Sequence, residues 1–296
     1  GIGAGDEVIV TNFSWISSAT CITRVGATPV FADIDIDTYH LDFQSIKDNC
    51  TENTKALVYT HLYGSMSDTR EIEDWCKDKG ILFVEDAAQG LGSSLDGRKA
   101  GTIGDCSVFS FNSNKVIAGL AGGGMFMTND KDMAHRVMSM RRHGKQGEMF
   151  VVPGSMNSKL YVPNAEVINW RLQHLTVWQS KRQEIAKKYD VAFKRKLITQ
   201  AQKPRSTLQH NYHKYVVRFD DQETRDFVQQ SIKMSKKWSP KVHYDCSLTE
   251  NPVLNEYNCN TPNSVNASRT VMSLPINPFL TDDEITTVIE SITGIL

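Results

Sequence analysis

Ile81-Leu82-Phe83-Val84-Glu85-Asp86-Ala87-Ala88-Gln89 runs four apolar residues into a pair of carboxylates, and this junction decides the fold. A short apolar run bounded by polar residues reads as a buried strand. A carboxylate at its end is costly unless a cation or hydrogen-bond donors meet it. Comparable runs recur on both sides, so the strand set reads Glu7–Val10, Thr28–Ala32, Ala56–His61, Leu82–Glu85, Ser107–Phe111 and Gly124–Thr128. Helical patterns fill the gaps at Ser17–Val25, Phe43–Asn49, Thr69–Lys79 and Asp130–Arg142, with Asn129-Asp130 as a capping signal for the last. This alternation predicts an α/β layer fold around a mostly parallel sheet flanked by helices. Such sheets hold ligands at the carboxyl ends of their strands, which makes Asp86 a first candidate for chemistry. The competing reading of Asp86 is a turn cap.

Farther out, apolar residues recur at helical spacing from Ala165 to Leu197 (Val167, Ile168, Leu172, Leu175, Trp178, Ile185, Tyr189), predicting one long or broken helix. A smaller α+β unit follows: Tyr212–Phe219, a Thr224–Lys236 helix, Lys241–Tyr244, and a closing helix from Asp282 to Ile295 that Thr281 caps. The expected division is a large domain over residues 1–180 and a small C-terminal domain over 181–296. A chain of 296 residues has room for both.

Composition narrows the function. With 33 basic and 34 acidic residues there is no charge excess of the kind that marks nucleic-acid or membrane-surface binders. No apolar run is long enough to span a bilayer, and no signal peptide opens the chain. Six scattered cysteines without a CxxC pair read as reduced thiols of a cytoplasmic protein and offer no metal site. His174, His210 and His213 read as structural.

A second chemical candidate is Lys115, in Phe109-Ser110-Phe111-Asn112-Ser113-Asn114-Lys115, followed by the glycine-rich Ala118-Gly119-Leu120-Ala121-Gly122-Gly123-Gly124. A lysine between a strand and such a segment can form an imine with a carbonyl if its surroundings lower its pKa. The glycines permit close approach of backbone to a flat ring or a phosphate. The segment is no P-loop, since GxxxxGK[ST] is absent. Taken alone, Lys115 is an ordinary solvated charge.

Taken together, these tags resemble one family along nearly the whole chain. Gly5-Asp6-Glu7-Val8-Ile9-Val10, Gly26-Ala27-Thr28-Pro29-Val30-Phe31-Ala32-Asp33-Ile34-Asp35, His61-Leu62-Tyr63-Gly64 and Glu85-Asp86-Ala87-Ala88-Gln89 come in order, followed by Phe109-Ser110-Phe111 with Lys115. Arg142-His143-Gly144, Val242-His243-Tyr244 and Ser273-Leu274-Pro275-Ile276 complete the series. The pattern is similar to the DegT/DnrJ/StrS sugar aminotransferases, enzymes of the fold type I pyridoxal phosphate class.

The resemblance implies a pyridoxal 5'-phosphate enzyme that moves an amino group from L-glutamate to a keto group of a nucleotide-linked (6-deoxy) sugar. It also implies a homodimer with shared sites. Lys115 would carry the cofactor and Asp86 would hold the ring nitrogen. Gln89 would approach the ring hydroxyl and Ser110 the phosphate. Trp15 would stack on the ring, its alternative being an ordinary core aromatic. Asn157 would reach the phosphate of a neighbouring subunit, and His243 and Tyr244 would face substrate. A lysine at position 115 separates the chain from family members that became dehydratases, which have histidine there.

Departures are visible. Gly154-Ser155-Met156-Asn157 is one residue longer than the family's GxN, Leu120-Ala121-Gly122-Gly123 stands where GEGG is frequent, and Asp245 follows Tyr244 in place of proline. The family's opening Ser-Gly-Thr phosphate segment has no counterpart before Gly5, so the resemblance implies an N-terminally incomplete chain. The alternative to an active transaminase is a non-catalytic or regulatory cofactor-binding member, or an inactive fragment.

Overall fold

The computed structural model describes residues 1–193, 198–199, 207–235, 237–257 and 259–296. The chain first lays down β1 (Glu7–Thr11), α1 (Ser17–Arg24), β2 (Thr28–Ala32), α2 (Phe43–Asp48), β3 (Thr54–Thr60), α3 (Arg70–Lys79) and β4 (Leu82–Asp86). After a hairpin of β5 (Ser94–Leu95) and β6 (Arg98–Lys99) come β7 (Cys106–Ser110), β8 (Gly124–Thr128) and α4 (Lys131–Met140). A second hairpin, β9 (Lys145–Gln146) with β10 (Met149–Phe150), leads to α5 (Val162–Leu172) and α6 (Leu175–Phe193). The remainder is β11 (Ile198–Thr199), β12 (Tyr215–Arg218), α7 (Gln222–Ser235), α8 (Pro262–Thr270), β13 (Val271–Leu274) and α9 (Asp282–Thr293).

The main sheet has the order β2-β1-β3-β4-β7-β8. Every pairing is parallel except β7 with β8. Both faces are covered, as a parallel sheet requires. Val8 and Val10 bury with Ala19 and Ile22 of α1, while Ile9, Leu57, Tyr59 and Phe83 bury with Ile72 and Cys76 of α3. This is the predicted α/β architecture, with strand limits shifted by a residue or two. The helix predicted from Ala165 is broken: it begins at Val162, stops at Leu172 and restarts at Leu175. The last four residues of that prediction, 194–197, lie outside the described residues.

A three-stranded sheet, β11-β12-β13, forms the second layer. Tyr215, Val217, Met272 and Leu274 pack there against Tyr189, Val228, Ile285 and Val288 of α6, α7 and α9. The capping prediction at Thr281 is met by a reciprocal box, Thr281 Oγ1 accepting from the Glu284 amide and Glu284 from the Thr281 amide. Lys241–Tyr244 is not a strand. Lys241 makes one bridge to Ser273, and Tyr244 turns toward the main sheet to pack with Phe13 and Tyr63.

Two contacts fix the second sheet to the first. Asp33 leaves β2 buried and accepts from the Asn263 and Ser264 amides at the start of α8, at 2.9 and 2.8 Å, where a helix N-terminus favours negative charge. Asn211, just before β12, donates to the carbonyls of Gln89 and Leu91 at 2.7 and 2.9 Å. Its amide oxygen lies where a side chain on Gly64 would be: a Cβ there would fall 1.8 Å from Asn211 Oδ1, and Gly64 has φ +88. Gly64→Ala is expected to destabilise by about 2 kcal/mol or more through overpacking and backbone strain. A lower urea midpoint with unchanged slope is the expected readout.

Candidate active site

The carboxyl end of β4 separates its two carboxylates, because successive residues of a strand point to opposite faces. Glu85 is fully buried and accepts four hydrogen bonds: from His61 Nε2 at 2.8 Å and from the amides of Gly101, Ile103 and Gly104 at 2.9, 2.7 and 2.9 Å. Burial alone would raise its pKa, but the bonds from His61, Gly104 and Gly101 outweigh that and hold it below the ordinary range. Asp86 faces the other way and stays half-buried. Its Oδ2 accepts from Ser18 Oγ at 2.8 Å and Thr60 Oγ1 at 3.5 Å, and its Oδ1 from the Ala88 amide at 3.1 Å. Asp86 is thus a strand-end carboxylate surrounded by donors from α1, β3 and its own turn.

Lys115 sits half-buried in the turn after β7, its amide donating to Asn112 O at 2.9 Å. Burial lowers its ammonium pKa, and the Asp86 carboxylate pulls the other way. The solvated-charge reading of Lys115 therefore does not hold. Trp15 lies just before α1 and is 59% exposed, so the core-aromatic alternative is also wrong. Its carbonyl accepts from the amide of Ser18, the residue that also holds Asp86.

Gln89 is buried, with Oε1 accepting from the Tyr63 amide at 2.9 Å and Nε2 donating to Tyr244 Oη at 3.0 Å. One N–H of its amide remains for a ligand. Tyr244 also packs with Phe13 and Tyr63 at ring distances of 5.5 and 5.9 Å. His243 beside it is lowered to about 4 by burial and then by Lys214, Lys241 and Lys115. Ser110 closes β7, its Oγ accepting from the Asn112 amide at 3.3 Å. Lys115, Asp86, Gln89, Tyr244 and His243 are thereby linked by direct bonds or shared fields, with Trp15 and Ser110 on the adjoining turns.

Asn157 stands apart. It is exposed, bridged to Arg142 on the arm that carries β9 and β10, and no hydrogen bond joins it to Lys115 or Asp86 among the described residues. The glycine-rich segment is held by α5. Asn164 of α5 accepts from the Leu120 amide and donates to Gly122 O, both at 2.6 Å. A Cβ on Gly119 would meet Asn164 Oδ1 at 2.4 Å, so Gly119 admits this side chain.

Sequence reasoning missed Ser18 and Thr60, the hydroxyls that hold Asp86. Their signal is faint: a serine in the first turn of a helix and a threonine closing a strand. It also missed Lys214, whose signal is a cation directly before the apolar Tyr215-Val216-Val217. No cluster of metal-ligating residues occurs among the described residues, and no helix among them is long and apolar enough to cross a membrane. All six cysteines are free thiols.

Against known proteins, the sequence profile of the DegT/DnrJ/EryC1/StrS aminotransferase family matches residues 1–293. A "Pleiotropic regulatory protein" of Geobacillus stearothermophilus is 31% identical, over 99% of this chain and 79% of its own. The "UDP-2-acetamido-2-deoxy-3-oxo-D-glucuronate aminotransferase" of Pseudomonas aeruginosa is 31% identical, over 95% of this chain and 77% of its own. A Streptococcus pneumoniae protein solved in its PLP form superposes with a TM-score of 0.90 at 25% identity, covering 99% of this chain and 81% of that one.

The buried Glu85 anchor gives an acid-stability test. Its folded pKa is depressed, so its contribution is complete above the ordinary value of 4.5 and is lost as pH falls from there through the folded value. Glu85→Gln is expected to lower stability by about 3 kcal/mol at pH 7. As pH falls below the ordinary value of 4.5, the variant should lose less further stability than the wild type, as read from urea midpoints over falling pH.

Proposed function

Because the chain belongs to the DegT/DnrJ/EryC1/StrS aminotransferase family, we propose that it transfers an amino group from L-glutamate to a keto group of a nucleotide-linked sugar, using pyridoxal 5'-phosphate. The observation that carries this reading is Lys115, half-buried and within the field of an Asp86 carboxylate that three donors hold in place. The substrate class is supported by the Pseudomonas relative, which by name acts on a UDP-linked oxo sugar.

The residues present fit the cofactor. Lys115 would bind its aldehyde and Asp86 its ring nitrogen, with the exposed Trp15 ring as a stacking surface and the spare Gln89 N–H for the ring hydroxyl. Ser110 would take part in holding the phosphate, and Asn157 would reach it from a partner subunit. When bound, the cofactor supplies a protonated ring that withdraws electrons from the carbon losing its proton.

The chain's own groups do the remaining work. Lys115, as a free amine, would take the proton from the donor Cα and then give it back, as a general base and then an acid. Burial favours this by lowering the ammonium pKa, which raises the share of free amine. Asp86 keeps the ring nitrogen protonated, since a fixed carboxylate stabilises a neighbouring cation. Gln89 links this carboxylate's strand to Tyr244, and so orients the side chain beside His243 toward substrate. With the keto sugar bound, Lys115 would deliver a proton to the sugar carbon that gains the amine.

The protein works as a cytoplasmic homodimer with shared sites, divided into a cofactor-binding domain over residues 1–180 and a small domain over 181–296, the division falling within α6. Exposed apolar side chains near Asn157, among them Met149, Phe150, Tyr161 and Val162, support a covering partner. The Geobacillus relative's name favours one other reading, a regulatory member that binds the cofactor without turnover.

Purified protein is expected to show a pyridoxal phosphate absorbance band that glutamate converts to the pyridoxamine form. Lys115→Ala should lose that conversion by about a thousandfold or more and Asp86→Asn by about a hundredfold. Full turnover in Lys115→Ala would sink the assignment, and a band that glutamate leaves unchanged would favour the regulatory reading. Sedimentation should give a dimer, and an active monomer would contradict the shared site.

A further inference from the structure

Lys214 stands directly before β12, its amide donating to Tyr63 O at 3.2 Å. Side chains alternate along a strand, and cross-strand partners share a face. Lys214 therefore shares a face with Val216, whose ladder partner Ser273 is bridged in turn to Lys241. Val216 packs with Phe13, Tyr39, Leu62 and Tyr63, so this face of the second sheet is turned toward the main sheet. Lys115 lies close enough for its field to reach both Lys214 and His243. Tyr63, which accepts the Lys214 amide, packs against Tyr244, the partner of Gln89, so Lys214 borders the candidate site.

Half-buried ammonium groups are ordinarily matched by a carboxylate. Lys214 is half-buried and, among the described residues, forms no ion pair, while Lys241 across the bridge is exposed. Arg182 joins the same field from α6, and its bonds go to the carbonyls of Tyr212 and Ile276. Burial lowers the Lys214 ammonium to about 8, and Arg182, Lys115 and Lys241 add to the shift. Of these cations, the aminotransferase reading uses Lys115 alone.

We propose that Lys214, backed by Lys241, binds an anionic group of the substrate, a carboxylate or phosphate carried close to the reacting carbon. The inference rests on the aminotransferase reading and deepens it. An anion seated there makes charge-assisted hydrogen bonds and raises the Lys214 pKa, so binding near pH 8.5 draws a proton from solution. The charged and titratable groups around Lys214 are its chain neighbour His213, Lys241 and His243 from the bridged segment, Arg182 from α6, Tyr63, whose carbonyl accepts its amide, and Lys115. His213 and His243 are both held low by burial, and Lys115 is present alike in wild type and variant, so the uptake that separates wild type from Lys214→Gln belongs to Lys214.

The test uses cofactor-loaded enzyme, with substrate-binding calorimetry in two buffers at pH 8.5 and steady-state kinetics. Wild type should take up a fraction of a proton. Lys214→Gln should take up none and raise one KM about tenfold or more, with a smaller change in kcat. Lys214→Arg, permanently charged, should keep KM within about threefold and also abolish uptake, and it serves if the glutamine variant fails to load. A raised KM for glutamate assigns the donor carboxylate. A raised KM for a nucleotide-linked hexuronate, but not for the matching hexose, assigns a sugar carboxylate. A rise for both sugars, with weaker binding of the free nucleoside diphosphate, assigns the diphosphate. Unchanged KM for every substrate, or undiminished proton uptake in Lys214→Gln, overturns the inference while wild-type turnover leaves the aminotransferase reading intact. A wild-type enzyme without glutamate turnover overturns both.

Discussion

Glu85 is a charge buried without any exposure, and the geometry around the site depends on how it is satisfied. An isolated carboxylate in such a place would cost several kcal/mol. One imidazole and three backbone amides remove that cost. Those donors belong to separate parts of the chain, so a single anion fixes the end of β4, the turn at residues 101–104 and the segment leaving β3. With Glu85 locked, the next residue has no freedom of direction. Asp86 must face the opposite side, where Ser18 and Thr60 wait for it.

The same pinning reaches the second sheet. His61 opens the short turn containing Tyr63 and Gly64. Tyr63 has φ 59, a left-handed conformation that disfavours bulky side chains by about 1–2 kcal/mol. Gln89 receives its amide, and the rings of Phe13, Tyr39 and Tyr244 surround its side chain. Gln89 and Asn211 therefore tie the residues after β4 to both sheets, and the candidate site lies where those ties converge.

Much of this was legible in the sequence because parallel strands buried on both faces leave apolar runs that end abruptly in polar residues. Glu85 and Asp86 read as a pair at a strand end; that one is structural and the other faces the site follows only from the alternation of side chains. Lys115, by contrast, looks like any surface lysine until burial and the Asp86 field are known. Trp15 could not be placed from sequence, since an exposed and a buried tryptophan are spelled alike. The glycines at 119 and 122 were read for a ligand, but their neighbour is Asn164, more than forty positions away in the chain. Long-range partners of this kind leave no local periodicity to read. Lys241–Tyr244 reads as part of the smaller α+β unit, and it joins that unit through the bridge from Lys241 to Ser273.

The edge strand β8 carries a consequence for handling the protein. Among the described residues it pairs with β7 alone, and its Met125 and Met127 are 46% and 39% exposed. A strand with one free edge presents a row of amide donors and carbonyl acceptors that any extended peptide can match. Flanking thioethers make that edge adhesive as well as complementary, and open to oxidation to the sulfoxide. This border is therefore a place where strand addition and methionine oxidation can act on a concentrated preparation.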